Sequence, residues 1–245
     1  MALNERQNNI LRYLKEHKSA NVKKLAESLY VSEATIRRDL QELQSMGLAE
    51  RSHGGALLPE NADEVSMFFR MQKNAKEKEL IATKALPLLP SFRSVFIDSS
   101  STALALAERL DLRFKTVVTN GLQTATQLSK KSDINLLLLG GNVQCNTTAT
   151  TGSFTTRQLE LFQFDLMLCS CAAIAKDECL ERSIEQTELK RTAYSRSRQR
   201  ILLVDHTKFT SSGTYCTTKL ADFNLVITDK KPPETVNLKD KNFIY

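Results

Sequence analysis

Apolar residues recur at helical spacing through the first part of the chain. Residues 5–17 carry Ile10, Leu11 and Leu14 on one side, which predicts a first helix. Val22–Tyr30 reads as a second short amphipathic helix capped by Asn21. In the third run, Ser32–Leu43, Ile36, Leu40 and Leu43 fall on one narrow face at about 100° per residue. Ala34, Arg38, Gln41 and Ser45 fall opposite, with Thr35 and Arg37 flanking them. Ser32 supplies an N-cap oxygen, and Glu33 sets a negative charge against the positive helix end. Only Val31 and Ser32 separate the second and third helices, which is helix-turn-helix spacing. Met46-Gly47 closes the third helix, and Leu48–Leu58 reads as a hairpin with a glycine turn, a wing. A solvated surface helix has the same polar outer face, so the functional reading rests on this context.

Beyond the wing the pattern changes twice. Residues 59–66, beginning Pro59-Glu60-Asn61, are a polar, acidic linker. This predicts a winged helix-turn-helix domain over 1–58 and a second domain over 67–245. Phe68–Leu86 keeps a helical period through Phe69, Ala75, Leu80 and Ala85. From Ser94 short apolar strands alternate with helical stretches. The strands are Ser94–Asp98, Thr116–Thr119, Ile134–Leu139, Leu166–Cys171, Ile201–Asp205 and Leu225–Ile227. Such strands, apolar along nearly their whole length, predict a mainly parallel sheet covered on both faces. Ligands of open α/β sheets bind at the carboxyl ends of the strands. The residues there are Asp98, Ser99, Ser100, Ser101 and Thr102, then Asn120, then Gly140 and Gly141, and finally Asp205 to Lys208. Hydroxyls and backbone N–H groups suit a phosphate, and Lys208 adds positive charge. Each turn alone is equally an ordinary polar cap; their convergence at one sheet edge favours a site.

Composition adds limits. With 245 residues, 41% hydrophobic and 25% charged, the chain fits an ordinary soluble protein with a sizeable core. The net charge of +6 favours an anionic partner, yet residues 1–58 hold nine Lys/Arg against seven Asp/Glu. Charge alone therefore does not identify DNA binding. The start lacks a signal-peptide core and no apolar run approaches a membrane span, so a cytoplasmic location without membrane contact is expected. Cys145, Cys169, Cys171, Cys179 and Cys216 form an odd set with no Cys-x-x-Cys pair, and read as reduced, mostly buried thiols. A redox or metal role for Cys169 and Cys171 lacks a third ligand, and His17, His53 and His206 are scattered. No metal, cofactor or catalytic residue is expected.

Arg6, Ser32, Thr35 to Leu40, Arg51 and His53 to Ala56 resemble the N-terminal motif of the DeoR family of bacterial transcriptional regulators. Asp98 with Ser101-Thr102, Thr119-Asn120, Gly140-Gly141, Gly152, Asp165, Glu188 with Lys190-Arg191, and Asp205 with Lys208-Phe209 resemble that family's effector domain. The resemblance implies a regulator, a repressor of carbohydrate-metabolism genes, with a second domain similar in fold to ribose-5-phosphate isomerase that senses sugar phosphates. The expected DNA-binding residues are Ser32, Glu33, Ala34, Thr35, Arg37, Arg38, Gln41, Arg51, His53 and Gly54. Arg38, opposite Ile36 and Leu40, is expected at a base edge; Arg37, Thr35, Arg51 and His53 are expected on phosphates. Asp39 is expected to brace a basic neighbour. The expected effector site comprises Asp98, Ser99, Ser100, Ser101, Thr102, Asn120, Gly140, Gly141 and Lys208. Specific operator recognition requires two readers, which predicts a homo-oligomer, dimer or larger. The alternative is a sugar-phosphate isomerase or transferase with an appended DNA-binding module, using Asp98, Glu188 or Asp205 as base. Three departures bear on the ligand. Ser100 replaces a phosphate-turn Gly and so predicts strain or a different turn. Glu178 and Glu181 occupy a segment the family keeps neutral, predicting repulsion of a dianion if they face the pocket. Ala173 replaces a family Gly.

Overall fold

The computed structural model describes residues 3–45, 48–57, 66–236 and 243–245. The helix end at Met46-Gly47, Leu58, and the linker Pro59 to Glu64 lie outside the described residues. The chain divides into two compact units, residues 1–73 and 74–245.

The first unit contains α1 (Glu5–His17), β1 (Ser19–Asn21), α2 (Val22–Ser28), α3 (Glu33–Ser45), β2 (Glu50–Ser52), β3 (Gly55–Leu57) and α4 (Met67–Gln72). Asn4 and Gln7 cap α1 reciprocally, each side chain accepting the other's backbone N–H, and Asn21 caps α2. Ile10, Leu14, Leu25, Ile36, Leu40 and Leu43 meet in a sealed core. Each fully buried side chain of this size contributes about 1.5–3 kcal/mol relative to exposure. The wing is an antiparallel sheet in the order β1-β3-β2. Sequence pattern did not reveal β1, a strand of three residues. Its approach explains Gly55, where a Cβ would lie 2.1 Å from the Ala20 carbonyl oxygen.

The helix expected over Phe68–Leu86 is two helices, α4 and α5 (Ala75–Ala85). Asn74 separates them in the left-handed conformation, φ 54°, which Asn tolerates better than most residues. Its side-chain amide donates to Asp205 Oδ1 at 3.0 Å. The unit boundary accordingly falls after Lys73, later than the expected start at 67. Met67 is buried and Phe69 packs against the three-helix core, so α4 goes with the first unit.

The second unit continues with β4 (Ser94–Ile97), α6 (Ser101–Ala107), β5 (Thr116–Thr119), α7 (Leu122–Leu128), β6 (Asn135–Leu138), β7 (Asn142–Gln144), β8 (Ala149–Thr151) and α8 (Ser153–Leu159). It closes with β9 (Phe164–Cys169), β10 (Ala173–Ala175), β11 (Glu178–Glu181), α9 (Ile184–Ser195), β12 (Ser197–Val204), β13 (Tyr215–Lys219), β14 (Leu225–Thr228) and β15 (Phe243–Ile244). Seven strands form a parallel sheet in the order β15-β14-β12-β9-β4-β5-β6. Val95 and Ile97 enter one core with α5 and α6, while Phe96 enters the other with α8 and α9. Both faces are covered, which is why the strands are apolar throughout. The β7–β8 hairpin and the small antiparallel sheet β10-β11-β13 were not apparent in the sequence.

Candidate functional site

In the first unit, α3 presents Ser32, Ala34, Arg37, Arg38 and Gln41 to solvent, and Glu33 and Thr35 partly so. The wing adds exposed Arg51, His53 and Gly54. Ser32 caps α3 by accepting from the Thr35 N–H at 3.1 Å. Along the helix Arg37 pairs with Glu33 at 2.6 Å and Arg38 with Glu42 at 3.6 Å. The Arg38 side chain nonetheless keeps 83% of its surface exposed. The helix inner side is tied down separately. Buried Asp39 takes two hydrogen bonds from Arg6, and Gln7 donates to Glu42 at 2.6 Å. The face carrying the expected DNA contacts is thus held by residues that do not belong to it.

In the second unit the chain runs outward from β4 in both directions, through β5 and β6 on one side and β9, β12 and β14 on the other. The carboxyl ends of β4 and β9 are therefore the topological switch point, the place where open sheets bind ligands. Asp98 stands there, buried. Its Oδ1 accepts from the Ser100 N–H at 3.0 Å and from the Ser100 hydroxyl, and its Oδ2 accepts from the Ser170 N–H at 3.1 Å. Lys190 of α9 lies 3.0 Å from the same Oδ2 and donates to Glu181 and to the Ser170 carbonyl, both at 2.6 Å. Burial pulls the Lys190 ammonium pKa down, but the charges of Glu181 and Asp98 outweigh it and hold it above the ordinary lysine range. Ser170 Oγ beside this triad, and Asn120 Oδ1 and Thr124 Oγ1 at the end of the neighbouring strand β5 and the start of α7, are buried with no hydrogen-bond partner among the described residues. Orphaned polar atoms are costly in a folded interior and mark positions where an outside group can bond.

The expected effector residues fall into three places. Asp98, Ser99, Ser100, Ser101, Thr102 and Asn120 line the ends of the adjacent strands β4 and β5 and are all buried. Gly140 and Gly141 follow β6, but the Gly140 N–H already donates to Gln158 at 3.1 Å and its carbonyl accepts from Thr155 and Gln158. Lys208 stands on the 3-10 turn after β12, on the far side of β9 from β4. The cation bonded to Asp98 is Lys190, which no local sequence pattern singles out as a partner of Asp98. A lysine amid Leu189 and Ala193 on the buried side of a helix was the available signal.

Of the two alternatives for Ser100, strain or a different turn, the structure shows the second, and Glu181 and Glu178 each lie against a lysine. Ser100 is not strained: it has φ −82°, ψ 144°, and caps α6 by accepting from the Ala103 N–H. Its hydroxyl gives Asp98 a bond that glycine cannot. Glu181 does not confront a ligand as a free charge, because it is buried against Lys190, while Glu178 sits opposite Lys219 across the β11–β13 ladder. Asn120 is also used structurally, its amide donating to the Thr150 carbonyl at 3.1 Å beneath the β7–β8 hairpin. Asp165 lies at the opposite end of the sheet, where its carboxylate takes the N–H groups of Arg93 and Ser94, and these bonds lower its pKa.

Cys169, Cys171 and Cys179 are buried, and Cys145 is exposed. Burial pushes the Cys169 thiol well up, and a hydrogen bond with Cys171 together with burial does the same for Cys179. No group of three metal-type ligands occurs among the described residues, and no helix among them is long and apolar enough to cross a membrane.

A winged helix-turn-helix in one unit and a parallel sheet with a polar switch point in the other define a DNA-binding transcriptional regulator with a sensor domain. Residues 6–62 match the DeoR-like helix-turn-helix domain and residues 73–230 the DeoR C terminal sensor domain. The chain belongs to the DeoR family. It is 36% identical over 230 residues to the HTH-type transcriptional regulator GolR of Listeria innocua, covering 93% of this chain and 91% of that one. It is 32% identical over 241 residues to the glycerol-3-phosphate regulon repressor of Escherichia coli, covering 96% and 94%. Among solved structures, ribose 5-phosphate isomerase A from Methanocaldococcus jannaschii aligns with a TM-score of 0.40 and 13% identity over 56% of this chain and 55% of that one. That likeness is too distant to bear on ligand or chemistry.

Proposed function

We propose that this regulator represses genes of carbohydrate or polyol-phosphate metabolism, and that a phosphorylated sugar or similar anion at the switch point alters its grip on operator DNA. The observation that carries the ligand reading is the set of buried atoms Asn120 Oδ1, Thr124 Oγ1 and Ser170 Oγ, unpartnered among the described residues, on the elements that surround the switch point. The phosphate is supported by the hydroxyls of Ser99, Ser101 and Thr102 and the charge of Lys208. The printed function of the Escherichia coli relative, a glycerol-3-phosphate regulon repressor, supports it too. In this reading Ser32 to Gln41 on the outer face of α3 reads the operator, with Arg51, His53 and Gly54 on the backbone. Two or more copies assemble through the second unit in the cytoplasm.

The sensor acts by binding rather than turnover. A general base needs a free lone pair near the substrate. Asp98 has its lone pairs committed to Ser100, Ser170 and Lys190, and Asp205 holds Thr207 and Asn74 through Oδ1 on the turn after β12, away from the end of β4. Glu188 is exposed on α9.

A thermal-shift screen with glycerol 3-phosphate and a series of pentose and hexose phosphates tests the reading. A stabilising ligand whose effect disappears in Ser170→Ala and weakens in Lys208→Ala is expected. Silence across the screen, or binding indifferent to both changes, would overturn the sensor reading.

A further inference from the structure

The turn before the recognition helix holds a residue that makes no sense for the isolated fold. α2 ends in a paired set of backbone bonds, Val31 N–H to the Ala26 carbonyl at 3.0 Å and Tyr30 N–H to the Glu27 carbonyl at 3.4 Å. This is the Schellman arrangement, whose pivot residue must be left-handed and is ordinarily Gly or Asn. The pivot is Tyr30, with φ 54°. For a bulky side chain that conformation is an outlier, and Gly would adopt it freely. Intramolecular packing does not offset the strain, since Tyr30 is 95% exposed.

Its position says what the ring meets instead. Tyr30 precedes Ser32, the cap of α3, by two residues and shares with Lys23, Val31, Ser32 and Glu33 a shallow groove at the helix entrance. In a helix-turn-helix the first turn of the recognition helix enters the major groove, so the residues leading into it pass beside a phosphate strand. Tyrosine hydroxyls are among the donors that contact DNA phosphates.

We propose that Tyr30 is a DNA-backbone contact, its hydroxyl donating to a phosphate oxygen while its ring covers the adjoining sugar. The contact orients α3 in the groove without reading a base. Because the hydroxyl is neutral, it displaces no counterion and leaves the salt dependence of binding unchanged, unlike a lysine or arginine at the same place.

The test rests on α3 being the reading helix, and Arg38→Ala controls for that. The full chain, with Tyr30→Phe and Tyr30→Gly, is titrated against a duplex it selects from a random pool and against a scrambled duplex of equal length, over a range of salt. Tyr30→Phe should weaken both duplexes alike, by about three- to tenfold, with the salt slope intact. Tyr30→Gly should weaken both further while melting at a higher temperature than the unmodified protein, since it relieves the left-handed strain. Unchanged affinity in both variants while Arg38→Ala loses discrimination would overturn the Tyr30 contact alone. Unchanged affinity in all three would remove α3 from the DNA as well. Weaker binding that tracks a lowered melting temperature would make Tyr30 structural and also overturn the proposal.

Discussion

Arg6 on α1 and Asp39 on α3 face each other across the first unit, and the guanidinium grips the buried carboxylate through two bonds, Nε to Oδ2 and Nη2 to Oδ1, the second 3.1 Å long. The hydrogen bond to Asp39 raises the Arg6 pKa. Asp39→Asn keeps the size but loses one acceptor and the charge, so it should destabilise the unit by about 1–3 kcal/mol. Urea denaturation followed by helical circular dichroism measures this. DNA affinity should fall with it, because the helix loses its brace while its outer face is untouched. An Asp39→Asn protein as stable as the original would remove Arg6 from the account.

Arg38 makes the opposite kind of prediction, since its guanidinium is largely exposed and only loosely paired with Glu42. Arg38→Ala should leave stability unchanged, cost about 1–3 kcal/mol of operator binding and relax the preference at one base pair. Arg37→Ala should weaken all sequences alike and lower the salt slope by about one. Competition binding against a library of single-base variants separates the two.

The Asp98–Lys190–Glu181 cluster predicts a response to alkali. A lysine whose folded pKa is raised contributes stability that is fully present below its unfolded pKa, about 10.4, and is lost as pH climbs through the higher folded value. Stability should therefore hold through neutral pH and decline above about pH 10 by this term. Lys190→Met leaves two carboxylates buried without their cation and should cost about 3–5 kcal/mol at pH 7. Denaturation midpoints between pH 7 and pH 11 check both; a Lys190→Met protein matching the original at pH 7 would contradict the pairing.

Ser100→Gly restores the residue type of the related phosphate turn, yet it removes both the cap of α6 and a bond to Asp98. It should lower stability by about 1 kcal/mol and bring no gain in ligand affinity. Tighter binding of a sugar phosphate by Ser100→Gly in calorimetry would show that the extended Ser100 conformation is not the one the ligand meets.

The helix-turn-helix and the strand-helix alternation were legible because each follows a simple period: Ile36, Leu40 and Leu43 repeat helically, and Val95, Phe96 and Ile97 are apolar on both sides of a covered sheet. The switch-point loops were legible as polar ends of apolar strands. What escaped were relationships that no local pattern encodes. Lys190 lies far along the chain from Asp98, and its apolar neighbours on α9 do not announce a buried cation. For Ser100 the sequence leaves strain and a different turn both open, because the bonds of its hydroxyl to Asp98 and to the Ala103 N–H, which favour an ordinary capped turn, exist only in the folded loop. The break at Asn74 was hidden because apolar spacing continues across it while the Asn side chain bonds Asp205.

The central place of β4 also bears on how the sheet is made during synthesis. β5 follows β4 closely and can pair with it as soon as Thr116–Thr119 is available. The other edge of β4 waits for Leu166–Leu168 of β9, long after β5 and β6 have been added. Until then Phe96 and its neighbours form an open edge on a nascent half-sheet, and closing the long loop delays the second half. A ribosome-bound chain halted before β9 would therefore carry a sticky three-stranded sheet, and chaperone demand during translation should peak in that interval.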